Sequence, residues 1–319
     1  MLEDKNMRIE TVKQIKLTIG IPVYNGEKFL EEKITSILNQ DFTDFELIIS
    51  DNASTDSTKE ICNKFATNDK RVRFFSHKNN SDSNWNFNFI LKEARGEYFM
   101  WTAADDKILP GFYGKNIEIL EKNSNVICST SQVKYFGENR NYWAVRSTRG
   151  SFKGFKKKFI ERFQNLQNYS TSGIFELKFR YYLKLRGHHH VFYGIYRTEQ
   201  LKKIFITGKN LPMQFDLMTM LNALRYGDFY VIDQVLMQRY DGGLSSQGFF
   251  NFKKSYKLNF IKAISYNYPF TRWCFRNFGY SLCLKNLDLF ILWNLEPLFF
   301  LAVNIIRKIN NDKKPITSN

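Results

Sequence analysis

At 319 residues, with 43% hydrophobic and 24% charged side chains, the chain is long enough to bury a sizeable core and too apolar to be disordered. Its net charge of +16 is lopsided: residues 1–130 hold 17 Lys and Arg against 20 Asp and Glu, whereas residues 131–319 hold 30 against 11. Cys62, Cys128, Cys274 and Cys283 are too far apart for a short metal-ligand pair, and "MLEDKNMRIETVKQIK" has no signal-peptide pattern, so reduced thiols in a cytoplasmic compartment are expected.

Apolar runs and amphipathic runs alternate along the first half. "KLTIGIPVY" (16–24) reads as a strand and "EKFLEEKITSILNQ" (27–40) as a helix. "FELIIS" (45–50) is a second strand ending on Asp51, and "STDSTKEICNKFA" places an N-cap cluster ahead of a helix. A strand at 71–76, a helix at 84–94, a strand at 97–102, a helix opened by Pro110 and a strand at 125–131 follow. This is the pattern of an α/β fold, a mostly parallel, Rossmann-like sheet flanked by helices. Strand ends carry Asn25, Asp51, and the pair Asp105 and Asp106, and ligands of open parallel sheets sit beyond such ends. No GxGxxG or GxxxxGK[ST] opens any helix, so a nucleotide must be held without either device.

The pattern loosens between 132 and 190 and returns as a strand and helix at 191–205, then a helix and strand at 213–240. From 249 the chain mixes Phe, Tyr and Trp with Lys and Arg, ahead of the apolar run "NLDLFILWNLEPLFFLAVNIIRKI" (286–309). Asp288, Glu296 and Pro297 interrupt that run, which argues against a transmembrane helix and for an interfacial one. Single-stranded nucleic acid, which stacks on aromatic rings, fits less well; a helical hairpin packed on the catalytic domain is the plain alternative.

Adjacent carboxylates in a cleft repel unless a cation lies near, and oxygen ligands suit Mg²⁺ or Mn²⁺, which fill their shells with substrate phosphates. On its own, an Asp-Asp pair before Pro110 is far more often a solvated turn than a metal site, and context must raise the metal reading.

The ordered series "TIGIPVYNGEKFLEEKITSILNQDFTDFELIISDNASTDST", "NFILKEARGEYFMWTAADD", "VFYGIYRTEQL" and "FDLMTMLNALRYGDF" resembles the family-2 inverting glycosyltransferases of GT-A fold, of bacterial surface-polysaccharide type. The resemblance covers residues 15–131 well and 190–245 more loosely. It implies that Pro22, Tyr24, Asn25 and Glu27 line a nucleotide pocket, with Tyr24 near the base and Asp51 accepting a hydrogen bond from it. Asp105 and Asp106 fall on the metal-binding DXD signature, whose usual first Asp is Ala104 here. Asp106 is then the expected direct metal ligand, with Asp105 toward the sugar or ribose. Where the family often has Arg-Asn, this chain has Phe87 and Asn88, and Arg239 is a candidate for the missing cation at the diphosphate. Asp216 matches the family's general base, although Phe215 replaces the Glu that often precedes it; Asp233 and Asp241 are alternative bases. His188, His189 and His190, being consecutive, suit a stacking or hydrogen-bonding role at the acceptor mouth better than a metal site.

These readings give a domain plan: an N-terminal extension (1–14), a nucleotide-sugar half (15–131), an acceptor half (132–248) and a basic, aromatic helical tail (249–319). The expected activity is metal-dependent inverting transfer from a nucleotide-diphosphate donor, a UDP-sugar, to a glycan or lipid-linked glycan. The expected place is the inner face of the cell membrane, at an anionic lipid surface and away from nucleic acid. A non-catalytic membrane- or nucleic-acid-binding protein on a degenerate scaffold is the alternative.

Overall fold

The computed structural model describes residues 14–137, 171–184, 190–208, 211–240, 253–254 and 258–312. Most of the expected N-terminal extension, together with His188, His189 and Asp241, lies outside the described residues. The first elements follow the sequence pattern: β1 (Leu17–Val23), α1 (Glu27–Leu38), β2 (Phe45–Asp51), α2 (Thr58–Asn68), β3 (Val72–Ser76), α3 (Ser83–Glu93) and β4 (Tyr98–Trp101). A two-residue strand β5 (Lys107–Ile108), α4 (Phe112–Lys122) and β6 (Val126–Phe136) come next. Then follow α5 (Phe175–Lys184), a 3-10 turn (His190–Tyr193), β7 (Ile195–Arg197), α6 (Thr198–Ile204), α7 (Phe215–Ala223) and β8 (Asp228–Tyr240). The C-terminal region is helical as expected, in α8 (Phe260–Ile264), α9 (Tyr268–Phe278), α10 (Tyr280–Leu284) and α11 (Leu287–Asp312).

Two local readings need correction. Pro110 does not open α4; the cap is Gly111 in the left-handed region at φ 80°, where a side chain would be strained. The strand expected at 125–131 runs on to Phe136, so the boundary drawn at 131 falls inside β6 and both halves build one sheet. The extension reflects pairing with β8, whose partner register reaches Phe136 opposite Tyr240.

The strands form one eight-stranded sheet in the order β3-β2-β1-β4-β7-β6-β8-β5. β3, β2, β1 and β4 are mutually parallel, and β6 and β8 pair in parallel. β7 runs antiparallel to both β4 and β6, and β5 antiparallel to β8. Val23 stands opposite Asp51 and Gly20 opposite Trp101, so the segments leaving β1, β2 and β4 emerge along one edge. Gly20 is needed for close packing: a Cβ there would come within 2.4 Å of the Ile90 side chain on α3.

Alternating strand side chains feed two cores. Leu17, Ile19, Ile21, Leu47 and Ile49 pack with Leu30, Ile34 and Ile37 of α1 on one face. Phe99 and Trp101 face the other way, onto Ile90, Phe192 and Leu217. The tail helices join this second core through Phe270, Cys274, Cys283, Phe290 and Trp293, and the Trp293 indole N–H donates to the Leu183 carbonyl at 2.8 Å. One face of the tail therefore packs on the domain, as the hairpin alternative required. All four cysteines are buried free thiols. Among the described residues no helix is long and apolar enough to cross a membrane.

Candidate active site

The loops after β1 and β2 are stitched together. Asn25, held at φ 51°, donates its backbone N–H to the Ser54 hydroxyl at 2.8 Å and accepts from the Thr55 N–H at 2.9 Å through its side chain. The Gly26 N–H donates to the Thr58 hydroxyl at 2.8 Å, and Glu27 accepts from the Ser57 N–H at 3.0 Å. The expected N-cap cluster serves both its own helix and this seam: Ser57 makes no side-chain cap bond, but Asp56 accepts from the Thr58 N–H at 3.1 Å at the start of α2 and from the Glu27 N–H at 3.2 Å across the seam. Burial pulls the Asp56 carboxyl upward, yet bonds from Thr58 and the Glu27 N–H outweigh it and hold Asp56 below the usual range.

Asp51 is buried at the end of β2 and accepts from the Ser54 N–H at 2.9 Å. Its carbonyl receives the His77 N–H at 3.0 Å, and burial keeps the His77 imidazole below its ordinary pKa despite the nearby Asp51 charge. Pro22 is half-buried in β1, whereas the Tyr24 ring is 51% exposed beside the same edge. Asn88 is half-buried in α3.

Asp105 and Asp106 part company after β4. Asp106 is 4% exposed, and both its oxygens are engaged: Oδ1 accepts from the Tyr240 N–H at 3.3 Å, and Oδ2 pairs with the Arg239 Nε at 3.2 Å. Its carbonyl accepts from the buried Lys33 ammonium at 2.8 Å. Asp105 is half-buried, and among the described residues no other residue donates to its carboxylate. Burial, then the like charge of Asp106, raises the Asp105 pKa against the pull of Arg239 and Lys33. The carboxylate left open to a cation is therefore Asp105, not Asp106.

Arg239 does supply a cation to this turn. Its guanidinium lies 4.4 Å from the Tyr193 ring centroid and places Nη1 3.3 Å from the His190 Nδ1. Because arginine only donates, Nδ1 accepts and the imidazole proton sits on Nε2, facing the Tyr135 hydroxyl at 2.9 Å. His190 is thus buried as an acceptor for Arg239. The Tyr193 phenol is pushed up to about 12 by burial and feels both the Asp106 and the Asp216 charge. The Phe192–Phe215 ring contact sets the start of α7, where Asp216 is half-buried, against the turn that carries Tyr193.

Phe87 and Phe215, where the resemblance leads one to expect Arg and Glu, touch each other with ring centroids 5.5 Å apart. Both also pack on Phe192, which stacks on Trp101 at 4.9 Å. Asp233, one of the alternative bases, lies in β8.

Lys33, Tyr135 and Tyr193 did not stand out in the sequence. Lys33 had a signal: it sits in the stripe Leu30, Lys33, Ile34, Ile37, where a lysine has no reason to be unless its ammonium finds an acceptor inside. Tyr135 and Tyr193 had none, because long-range packing alone brings them to Arg239.

Among the described residues no cluster of three or more His, Cys, Asp or Glu side chains is poised around one point. The donor set suits a hard cation held by one carboxylate and completed by phosphate and water, which is how Mg²⁺ and Mn²⁺ usually bind beside nucleotides. Asp105 meets that requirement.

Residues 18–184 match the model of glycosyl transferase family 2. A Campylobacter jejuni GalNAc(5)-diNAcBac-PP-undecaprenol beta-1,3-glucosyltransferase is 38% identical over 97 residues, 30% of this chain and 31% of that protein. The putative glycosyltransferase EpsE of Bacillus subtilis is 34% identical over 109 residues, 34% of this chain and 39% of its own. The matched region thus spans about a third of the length of these curated relatives. Among solved structures, S. aureus TarS 1-349 in complex with UDP-GlcNAc superposes with a TM-score of 0.53 at 21% identity, covering 82% of this chain and 73% of that one. The mannosyltransferase PcManGT of Pyrobaculum calidifontis, in complex with GDP-Man and Mn²⁺, gives 0.55 at 15% identity, covering 92% and 75%. At these identities the structures speak for the fold, which is that of GT-A glycosyltransferases. With more than half its length matched by the family model, the chain belongs to glycosyl transferase family 2.

Proposed function

We propose that the protein transfers a sugar, with inversion, from a UDP-sugar to a glycan or lipid-linked glycan acceptor in surface polysaccharide synthesis. The observation that carries this reading is the arrangement along one edge of the sheet: Asp51 ends β2, Asp105 and Asp106 follow β4, and the Phe192–Phe215 contact sets the start of α7, with Asp216, against the turn whose Tyr193 lies under the Arg239 paired to Asp106.

In this reading Asp51 accepts from the nucleobase and the exposed Tyr24 ring covers it, while Pro22, Asn25, Glu27 and Asn88 line the nucleoside pocket. Asp105 faces the donor diphosphate and would hold Mn²⁺ or Mg²⁺ there. A bound cation of this kind stabilises charge building on the departing diphosphate. Asp106 acts through its pairing with Arg239, whose guanidinium remains beside the same diphosphate. Asp216 takes the proton of the acceptor hydroxyl as its oxygen bonds to the anomeric carbon and the bond to the diphosphate oxygen breaks. One displacement from the face opposite the leaving group inverts the configuration.

Support for the donor class comes from TarS, solved with UDP-GlcNAc, and for a lipid-linked acceptor from the Campylobacter relative, whose name specifies an undecaprenyl-diphosphate-linked oligosaccharide. Such an acceptor places the protein at the inner face of the cell membrane. The test is thermal melting with UDP in the presence and absence of Mn²⁺, followed by a screen of UDP-sugars for metal-dependent hydrolysis. A melting shift that needs Mn²⁺ and disappears in Asp105→Asn supports the reading; a shift independent of metal, or unchanged in that variant, overturns the assignment of Asp105.

A further inference from the structure

The tail helices bury one face and leave another uncovered. In α11, Leu289, Phe290, Trp293 and Pro297 are buried. At 3.6 residues per turn they occupy an arc of about 100°. Leu287, Ile291, Leu295, Leu298 and Ile305 project from a second arc of about 80° that does not overlap the first. Each of these five side chains is exposed, Ile291 at 50% and Leu295 at 52%. Leu284, the last residue of α10, is exposed as well. The result is an apolar ridge about 27 Å long, on the side of the helix away from its buried arc.

Charge decides what covers such a ridge. Lys254, Lys262, Arg272, Arg276 and Lys285 are all exposed in the same C-terminal region, and none of them enters an ion pair among the described residues. The exposed acid of the ridge helix, Asp288, is already paired with Arg180 at 2.8 Å. Two copies docked through so basic a region would bring like charges together, at a cost. Anionic headgroups complement them while the acyl boundary takes up Leu and Ile, and the exposed Tyr268 and Tyr280 suit the polar–apolar border.

We infer that the outward ridge of α10 and α11, with the cations of α8 and α9, is a docking surface for an anionic phospholipid bilayer, on which the protein lies without crossing it. The inference deepens the lipid-linked acceptor reading and rests on it for purpose, not for geometry. The inner face of the same helices reaches the candidate base: the Gln214 amide, at the N-cap of α7, donates to Asn267 at 2.5 Å, and Asn267 donates to the Trp293 carbonyl at 2.7 Å. A bilayer on the outer face therefore carries the helix of Asp216 in fixed relation to its surface.

The test is flotation of the full chain with vesicles of phosphatidylglycerol and phosphatidylcholine, against vesicles of phosphatidylcholine alone. The wild type floats with the anionic vesicles, and Ile291→Asp with Leu295→Asp lowers the bound fraction by about ten-fold, the size expected when two apolar anchors are lost. Arg272→Gln with Arg276→Gln weakens binding to the anionic vesicles and leaves binding to the neutral ones unchanged. All four positions are exposed, so UDP-induced melting shifts persist in both variants; this separates failure of the surface from failure of the catalytic reading. Wild type that stays unbound, or an aspartate variant that floats as the wild type does, overturns the inference. So does a wild-type dimer, measured by light scattering, that the aspartate pair converts to monomer without changing flotation.

Discussion

The rings of Phe87 and Phe215 meet edge to face at 5.5 Å, one within the helix before β4 and the other directly before Asp216. An apolar contact thus stands where the family resemblance leads one to expect an arginine and a glutamate. The exchange is coupled, since either charge alone would face an aromatic partner in a half-buried cluster and lack compensation. Phe87→Arg and Phe215→Glu should each destabilise the protein by about 2 kcal/mol or more, and the double variant should recover at least about 1 kcal/mol. Urea denaturation of the four proteins in the cycle measures the coupling; additive losses would show that the two rings act independently.

Asp105 is a carboxylate that the fold opposes. Its folded pKa lies above the unfolded value, because burial and then the Asp106 charge disfavour ionisation. The ionised group therefore costs folding free energy at every pH above both values, and the cost disappears below about pH 4. Asp105→Asn should raise the melting temperature of the metal-free protein by a few degrees near neutral pH and not near pH 3. The same variant should lose the Mn²⁺-dependent response to UDP.

Lys33 gives an opposite signature at high pH. Burial pushes its ammonium down to about 8 despite the attraction of Asp106 and Asp105. Between that value and the ordinary lysine range near ~10.4, the unfolded chain binds more protons, so stability rises with pH across the window. Lys33→Met should remove this rise, read as the urea midpoint from about pH 7.5 to 10.

The Gln214–Asn267–Trp293 chain predicts a catalytic effect from the tail. Asn267→Leu leaves the Gln214 amide and the Trp293 carbonyl without those partners, at about 1–3 kcal/mol of stability. Because the cap of α7 loosens, kcat should fall several-fold while the KM for the donor stays near the wild-type value. A donor KM that rises with kcat unchanged would place Asn267 in nucleotide binding instead.

Much of the donor half was legible because its signals are local. β1, β2, β3 and β4 are short apolar runs between helical stripes, and strand ends in a parallel sheet share an edge by topology. The division of labour between Asp105 and Asp106 was not legible, since it depends on Arg239 and Tyr240 returning from a strand more than 130 positions away. The Tyr135–His190–Arg239 relay was hidden for the same reason, and β6 looked short because only its pairing with β8 extends it. The tail's two faces were blurred in the sequence by near-uniform apolar content, and separated only when burial showed which arc of α11 the domain covers.

The hydrogen bonds that cross between the Asn25–Glu27 and Ser54–Thr58 segments make the two walls of the proposed nucleotide crevice a single object. Little ordering entropy is then left to lose when a donor arrives, so affinity is preset by the empty protein. It also means that base preference cannot be transplanted by grafting either segment alone, because each new segment would arrive without the other half of its seam.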